Sequence, residues 1–304
     1  MSVGIVGACE NGKYAIIASD GTLIYRQQAA DVHASKLLFY AGWAFLFAGH
    51  LSSTELFFEE IRQAVIRESD LKPMSRQNIQ TTVREAYNRR VDNWNSIRHL
   101  SAYNMTMEQF KKDGRKTLGT QVSAELARAM YADYQQNFTD EIMVVGWGKM
   151  PLALMIYSIA ADGDGSHGKD GMYAIGSGRD AAISTLFLLE HKINSPLYEA
   201  IYSVAAAKFS SEAHGIGKHT TMCIMRKQIP EDADESATRI LIQPDEIKKL
   251  RELWESHGRP RIPQEALEFT APIASRSNDA EVLDRQSMRQ FMATLKAVSQ
   301  EGTG

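Results

Sequence analysis

The chain has 304 residues and a formal net charge of −3, with 44% apolar and 23% charged residues. This composition is that of a globular chain long enough to bury a large core, and its charge argues against non-specific nucleic-acid binding. No apolar run reaches membrane-spanning length and no secretory signal opens the chain, so we expect a cytoplasmic protein that binds neither nucleic acid nor membrane. The two cysteines, Cys9 and Cys223, lie in apolar strand patterns that favour buried, reduced thiols.

The N-terminal segment predicts a β-hairpin. Apolar runs over residues 3–8 and 14–19 flank a polar turn, Glu10 to Lys13, that contains Asn-Gly. Asp20 closes the second run, and Lys36 directly precedes a third apolar run. Removal of Met1 would give Ser2 a free α-amine.

These residues can form a nucleophile with its own base. A serine hydroxyl needs a group to take its proton, and an α-amine with a reference pKa of about 7.7–8.0 can do so. A nearby lysine would keep the amine neutral, and a carboxylate would keep that lysine charged. Ser2, Lys36 and Asp20 fit those three roles. An ordinary strand with a surface aspartate and lysine fits these residues equally well.

The remaining chain alternates helical and strand patterns. The periodicity predicts helices over 51–69 and 75–95, a helix beginning near Thr106, and another over 122–134. Apolar strands follow at 141–148 and 152–160, then helices at 179–190 and 195–211, then a strand at 220–226. The composition becomes polar after residue 227, and helices are expected at 244–257 and 280–299.

Four motifs in order resemble the β-type subunits of the proteasome, which are N-terminal-nucleophile (Ntn) hydrolases. They are Ser2 before an apolar strand, Asp20 and Lys36 at the family's separation, Phe47-Ala48-Gly49, and the stretch Tyr173 to Gly178. The resemblance covers residues 2 to about 226 and is closest to uncharacterised bacterial proteasome-type proteins. It departs from the family in carrying serine where the proteasome has threonine.

The resemblance implies an α+β fold, a four-layer αββα sandwich with a helical insertion and a C-terminal helical extension. The hydrolase domain would be residues 1–227, with the insertion at about 96–138. Residues 228–304 would be a polar linker and the helical extension.

The resemblance also implies further site residues. Gly49 N–H would bind an oxyanion, and Ser177 would hydrogen-bond near the terminal amine. The family's later Asp-x-x-Ser-Gly motif is not recognisable, and Glu212 stands in its place as the substitute for that aspartate.

The expected function is therefore amide hydrolysis by a peptidase that uses free Ser2 as nucleophile and base. Peptide or protein substrates and a homo-oligomer, with a ring as one form, follow from the resemblance, and neither a metal nor an organic cofactor is implied. Two alternatives remain open: a small-molecule or peptide amidohydrolase of the same mechanism, and a catalytically inactive structural subunit. The joint presence of Asp20, Lys36 and the Gly-Ser-Gly stretch favours an active site over the inactive subunit.

Overall fold

The computed structural model describes residues 2–20, 22–25, 28–31, 36–40, 42–49, 57–61, 63, 76–148, 153–161, 163–212, 216–227 and 239–258. Its strands are β1 (Gly4–Cys9), β2 (Tyr14–Asp20), β3 (Thr22–Tyr25), β4 (Gln28–Asp31), β5 (Leu37–Tyr40), β6 (Trp43–Ala48), β7 (Glu141–Trp147), β8 (Leu154–Ala160), β9 (Gly163–Ser166), β10 (Met172–Ile175), β11 (Thr220–Arg226) and β12 (Arg239–Leu241). Its helices are α1 (Arg76–Asn95), α2 (Met107–Leu118), α3 (Thr120–Asn137), α4 (Arg179–Leu188), α5 (Leu197–Ser211) and α6 (Pro244–Leu253). Residues 57–61 are also helical.

Two antiparallel five-stranded sheets carry the described fold. The first has the order β10-β1-β2-β11-β12, and the second has the order β5-β6-β7-β8-β9. Strands β3 and β4 form a separate two-stranded pair. The predicted α+β class is therefore confirmed at the level of two antiparallel sheets with helices.

The predicted N-terminal hairpin is confirmed. β1 and β2 pair from Gly4 opposite Ser19 to Cys9 opposite Tyr14. The connecting turn has positive φ at Asn11 and Gly12, the conformation for which asparagine and glycine are favoured.

The apolar runs are long because both faces of the sheets are covered. Alternate residues of a strand point to opposite faces. On β1, Ile5 packs in a cluster with α4 and α5, whereas Val6 packs in another cluster with residues of the second sheet. A third cluster joins the outer side of the second sheet to α1 through Val83 and Tyr87.

The helical insertion forms two helices, as the sequence predicts. Thr106 caps α2 by accepting a hydrogen bond from Gln109 N at 3.3 Å, and the Gln109 side chain accepts one from Thr106 N at 2.8 Å. This reciprocal pair is a capping box, which fixes where a helix begins. α3 follows after Gly119 and extends three residues beyond the predicted Tyr134.

Two parts of the chain differ from the sequence-based expectation. The sequence patterns predict no strand between Asp20 and Lys36, but β3 and β4 lie there and pair with each other. Residues 239–241 form β12 on the edge of the first sheet, next to β11, although the polar composition after 227 predicts a linker and helices only. Short edge strands carry little apolar pattern, and pairing with a neighbour decides their structure.

Some predictions concern residues outside the described part of the chain. They are residues 51–56, 62 and 64–69 of the helix expected over 51–69, residues 228–238 of the polar linker, and the helix at 280–299. Among the described residues, no helix is long and apolar enough to cross a membrane. The cytoplasmic location remains a prediction.

Candidate active site

Ser2, Asp20 and Lys36 meet in the buried interior. Lys36 Nζ donates to Ser2 Oγ at 2.7 Å and lies 3.2 Å from Asp20 Oδ2. Asp20 Oδ1 also accepts from Val3 N at 2.9 Å. The three residues are 6%, 1% and 2% exposed, so the contact is a buried ion pair joined to a hydroxyl rather than a surface pair.

The strands explain how these residues meet. Asp20 is the last residue of β2 and lies opposite Thr220 of β11 in the first sheet. Lys36 immediately precedes β5 of the second sheet, and its carbonyl oxygen accepts from Phe47 N of β6 at 3.0 Å. The lysine side chain therefore crosses from the second sheet to residues held by the first.

Burial sets the electrostatics of this site. The low-dielectric surroundings of Lys36 lower its pKa, and the charge and hydrogen bond of Asp20 oppose that effect. The ammonium group is thus a cation held in the interior mainly by one carboxylate. A cation so placed disfavours a second positive charge on a nearby amine.

Ser177 lies beside the backbone of Ser2. The Ser2 nitrogen donates to Ser177 Oγ at 3.2 Å, and Gly178 N donates to the Ser2 carbonyl oxygen at 3.3 Å. Gly176 has φ +85°, and a β-carbon there would collide with the Ser2 carbonyl oxygen and approach Ala48. This turn therefore needs glycine both for its backbone conformation and for the close approach.

Gly49 follows β6 at the end of the second sheet where Lys36 precedes β5. Its φ is +155°, and a β-carbon there would meet the Asp140 carboxylate. Among the described residues, no hydrogen bond joins Gly49 to Ser2. The role of its N–H as an oxyanion donor stays a prediction.

Glu212 takes a different place from the other predicted residues. Its carboxylate lies 2.7 Å from Lys208 Nζ and 2.6 Å from Arg251 NH1. Within the described part of the chain, no hydrogen bond or ion pair connects it to Ser2. Glu212 interacts with the site indirectly, because it pairs with Lys208, whose charge in turn interacts with that of Asp20.

Sequence reasoning missed Lys208. Its side chain is fully buried in α5, and burial lowers its pKa while Glu212 opposes that effect. Lys208 Nζ also donates to Gly217 O at 2.9 Å. A single lysine between Ala207 and Phe209 in an apolar helix was the available signal, because a lysine seldom lies in such a run without a buried partner.

Sequence reasoning also missed Glu141. It is the first residue of β7, and its Oε2 accepts from Gly176 N at 2.7 Å. A single acid at the start of an apolar strand is an ordinary surface pattern, so the sequence offered no specific signal.

In the described ranges, no group of three or more histidine, cysteine, aspartate or glutamate residues could hold a metal ion.

The chain resembles solved structures of Anbu proteins. One is a mutant form of Anbu from Hyphomicrobium sp. strain MC1, with a TM-score of 0.54 and 13% identity over 87% of this chain and all of that chain. Another is Anbu, the ancestral beta-subunit, from Yersinia bercovieri, with the same TM-score and identity over 86% of this chain and 99% of that chain. The chain therefore shares its fold with these Anbu structures.

This finding corrects the assignment made from the motifs. No protein-family model matches the chain, and no curated protein matches it. The assignment to proteasome β-subunit-like Ntn hydrolases, closest to uncharacterised bacterial proteasome-type proteins, was wrong, because the matched structures are Anbu proteins. At 13% identity, the likeness to these structures extends to the fold alone.

Proposed function

We propose that the chain is an amide hydrolase that uses Ser2 as an N-terminal nucleophile. The observation that carries the proposal is the 2.7 Å hydrogen bond from buried Lys36 Nζ to Ser2 Oγ. A buried lysine and aspartate are costly to the fold, and a serine hydroxyl does not require an ammonium partner for its own stability. Such an arrangement is favoured where the hydroxyl performs chemistry.

The proposed reaction begins once Ser2 is the first residue. The α-amine takes the hydroxyl proton as Ser2 Oγ attacks the amide carbonyl carbon. The same amine then returns the proton to the leaving nitrogen as the carbon–nitrogen bond breaks, which leaves an ester on Ser2. Water, deprotonated by the amine, attacks that ester and restores the hydroxyl.

The other residues have supporting roles in this proposal. Lys36, kept charged by Asp20, holds the amine neutral and donates to Ser2 Oγ. Ser177 accepts from the Ser2 nitrogen and directs its lone pair, and Gly49 N–H binds the developing oxyanion. Glu212 acts at a distance, by pairing with Lys208 beside Asp20.

The finer architecture belongs to the same proposal. Three hydrophobic clusters support a four-layer αββα sandwich, since two join sheets to helices and one contains residues from both sheets. The hydrolase domain would be residues 1–227 with the insertion at about 96–138, followed by an extension from 228. Peptide or protein substrates and a homo-oligomer complete the proposal.

The test compares the protein with a Ser2→Ala variant and a Ser2→Thr variant on a panel of fluorogenic peptide amides. Threonine keeps the hydroxyl and should retain turnover, whereas alanine should lose it. A β-lactone probe should add its mass to the N-terminal peptide of the unaltered protein and of Ser2→Thr, but not to that of Ser2→Ala. Undiminished turnover by Ser2→Ala would remove Ser2 as the nucleophile.

A further inference from the structure

Glu141 holds the turn that carries Ser177. Glu141 Oε2 accepts from Gly176 N at 2.7 Å, and Glu141 Oε1 lies 3.9 Å from Arg179 NH1. A hydrogen bond to a carboxylate is about twice as strong as one between neutral groups. Burial lowers the pKa of Arg179, but nearby charges raise it above its usual value, and the carboxylate of Glu141 contributes most to that rise. Glu141 therefore stabilises the charged form of Arg179.

Gly176 also has no spare room at its α-carbon. A β-carbon at that position would meet the Ser2 carbonyl oxygen and the Ala48 side chain. Gly176 is therefore confined by Glu141 at its N–H and by the Ser2 backbone at its α-carbon. A movement of the Glu141 carboxylate would shift Gly176 and the adjoining Ser177. It would thereby change the hydrogen bond between the Ser2 nitrogen and Ser177 Oγ.

Glu141 also lies beside the predicted oxyanion donor. In the second sheet it pairs directly with Ala48, and Gly49 is the next residue along the chain. Ser177, by contrast, follows β10 of the first sheet. The Glu141 side chain thus ties the end of one sheet, where Gly49 lies, to a turn of the other.

We propose that Glu141, held by Arg179, is a positioning residue that fixes Ser177 against the Ser2 amine. This inference rests on the proposed function of Ser2 and adds a residue that acts only through others. Loss of the carboxylate should lower kcat and leave KM nearly unchanged, because Glu141 touches the turn rather than the substrate. A displacement of about 1 Å at a reacting group can cost about 10²-fold in rate.

A neighbouring cavity makes the inference testable by chemical rescue. A cavity of about 180 Å³ is lined by Glu141, Arg179, Ser158 and Tyr173, among others. Truncation of Glu141 to alanine would extend this space by the volume of a carboxylate. Added formate can then enter, accept from Gly176 N–H and pair with Arg179.

The experiment uses Glu141→Ala, Glu141→Gln and the matched control Asp180→Ala. Asp180 is the other carboxylate near Arg179, at 3.6 Å, but its side chain is 97% exposed. Glu141→Ala should lose about 10²-fold in kcat and regain part of it as formate, but not chloride, is added. Glu141→Gln should retain most activity because its amide oxygen can accept from Gly176, and Asp180→Ala should behave like the unaltered protein.

A second measurement does not depend on turnover. The pH midpoint for acetylation of the Ser2 amine should fall in Glu141→Ala, because both the Ser177 acceptor and a nearby negative charge favour the protonated amine. The midpoint should not change in Asp180→Ala. Unchanged kcat and an unchanged midpoint in Glu141→Ala would overturn the inference, and so would formate rescue of Asp180→Ala alone.

These readouts separate the two proposals. If Ser2→Ala is inactive while Glu141→Ala is indistinguishable from the unaltered protein, the positioning role fails and the nucleophile stands. If Ser2→Ala keeps its activity, the proposed function fails, and the amine midpoint in Glu141→Ala still decides whether Glu141 positions the Ser2 nitrogen.

Discussion

At the scale of single residues, the pair formed by Lys36 and Asp20 is the least ordinary feature. Both side chains are almost wholly buried, and each would be costly in the interior without the other. Replacing such a pair by apolar residues is often neutral for stability, whereas removing one member leaves an uncompensated charge. Stability and activity can therefore be separated by single and double substitutions.

Lys36→Met should abolish turnover and lower the free energy of unfolding by about 3 kcal/mol, because it leaves Asp20 buried without its cation. Lys36→Met combined with Asp20→Asn should recover most of that stability and none of the turnover. Urea denaturation and peptide-amide assays on the same preparations measure both quantities. Recovered turnover in the double variant would exclude a catalytic role for the charge on Lys36.

The pH dependence of turnover should reflect the lowered pKa of Lys36. In the proposed mechanism kcat/KM rises as the amine loses its proton and falls again as Lys36 loses its own. Burial lowers the lysine pKa below its usual 10.5, so the falling limb should lie below that pH. Asp20 raises this pKa, and Asp20→Asn should therefore move the falling limb to still lower pH. A falling limb that moves upward in Asp20→Asn would contradict the assignment.

At the scale of elements, the turn from Gly176 to Gly178 connects β10 to α4 and brings Ser177 to Ser2. Its backbone must have a positive φ at Gly176 and must approach the Ser2 carbonyl oxygen closely. A second glycine, Gly42, has nearly the same φ of +78°, but no atom of the described residues lies within 4 Å of the place where its β-carbon would be. Substitutions at Gly42 and Gly176 can therefore separate the cost of a positive φ from the cost of a close contact.

Gly42→Ala should cost about 1 kcal/mol in free energy of unfolding, since it adds only the conformational penalty. Gly176→Ala should cost at least about 3 kcal/mol and should also abolish turnover, because the methyl group displaces Ser2. Thermal and urea denaturation of the two variants provide the comparison. Equal costs at the two sites would show that the close approach at Gly176 can relax.

Arg251 holds the helix α6 against α5 and against the segment that precedes β11. Its guanidinium pairs with Glu212 and donates to Lys218 O at 2.9 Å, and it lies 4.3 Å from the centre of the Phe209 ring. Apolar residues of α6, including Ile247 and Leu250, join the cluster around α5. Polar contacts of Arg251 and apolar contacts of Ile247 and Leu250 therefore both hold α6 in place.

Arg251→Ala should lower the free energy of unfolding by about 2–3 kcal/mol, because it leaves the Glu212 carboxylate with Lys208 alone. The control is Lys249→Ala on the same helix, where the partners Lys249 and Glu252 are largely exposed and the pair contributes less than about 1 kcal/mol. Hydrogen exchange should show faster opening of residues 244–258 in Arg251→Ala only. Equal exchange in both variants would contradict the anchoring role.

At the scale of the whole molecule, the candidate site exists only when both sheets are assembled. Ser2, Asp20 and Ser177 are held by the first sheet, whereas Lys36 and Gly49 belong to the second. The proposed base is the amine of Ser2, which exists only if nothing precedes that residue in the mature protein.

We therefore predict that the mature protein begins at Ser2. Acetylation of the exposed amine should inactivate it, because an amide nitrogen cannot accept a proton at neutral pH. Intact-mass spectrometry before and after acetylation, with assays of both samples, tests this. Full activity with Met1 retained would rule out the amine as base, and inactive protein with Met1 retained would favour a structural subunit.

Patterns in the sequence predict several of the elements and part of the site. The apolar runs predict β1, β2, β7, β8 and β11 because residues buried on both faces leave a continuous apolar signal. Thr106 and the helical periodicity predict α2 and α3. The residues themselves suggest Ser2, Asp20 and Lys36 as one group, and the family resemblance adds Ser177. The structure connects these four residues by hydrogen bonds.

The packing of sheets and helices sets the contacts between distant elements. Glu141 resembles any acid at a strand end until the fold brings Gly176 of the other sheet against it. The role of Lys208 likewise depends on its burial beside Glu212. Glu212 itself was predicted for the site, yet it pairs with Lys208 and Arg251. Hydrogen bonds and ion pairs depend on distances of about 3 Å, which packing between sheets and helices sets and local sequence patterns do not encode.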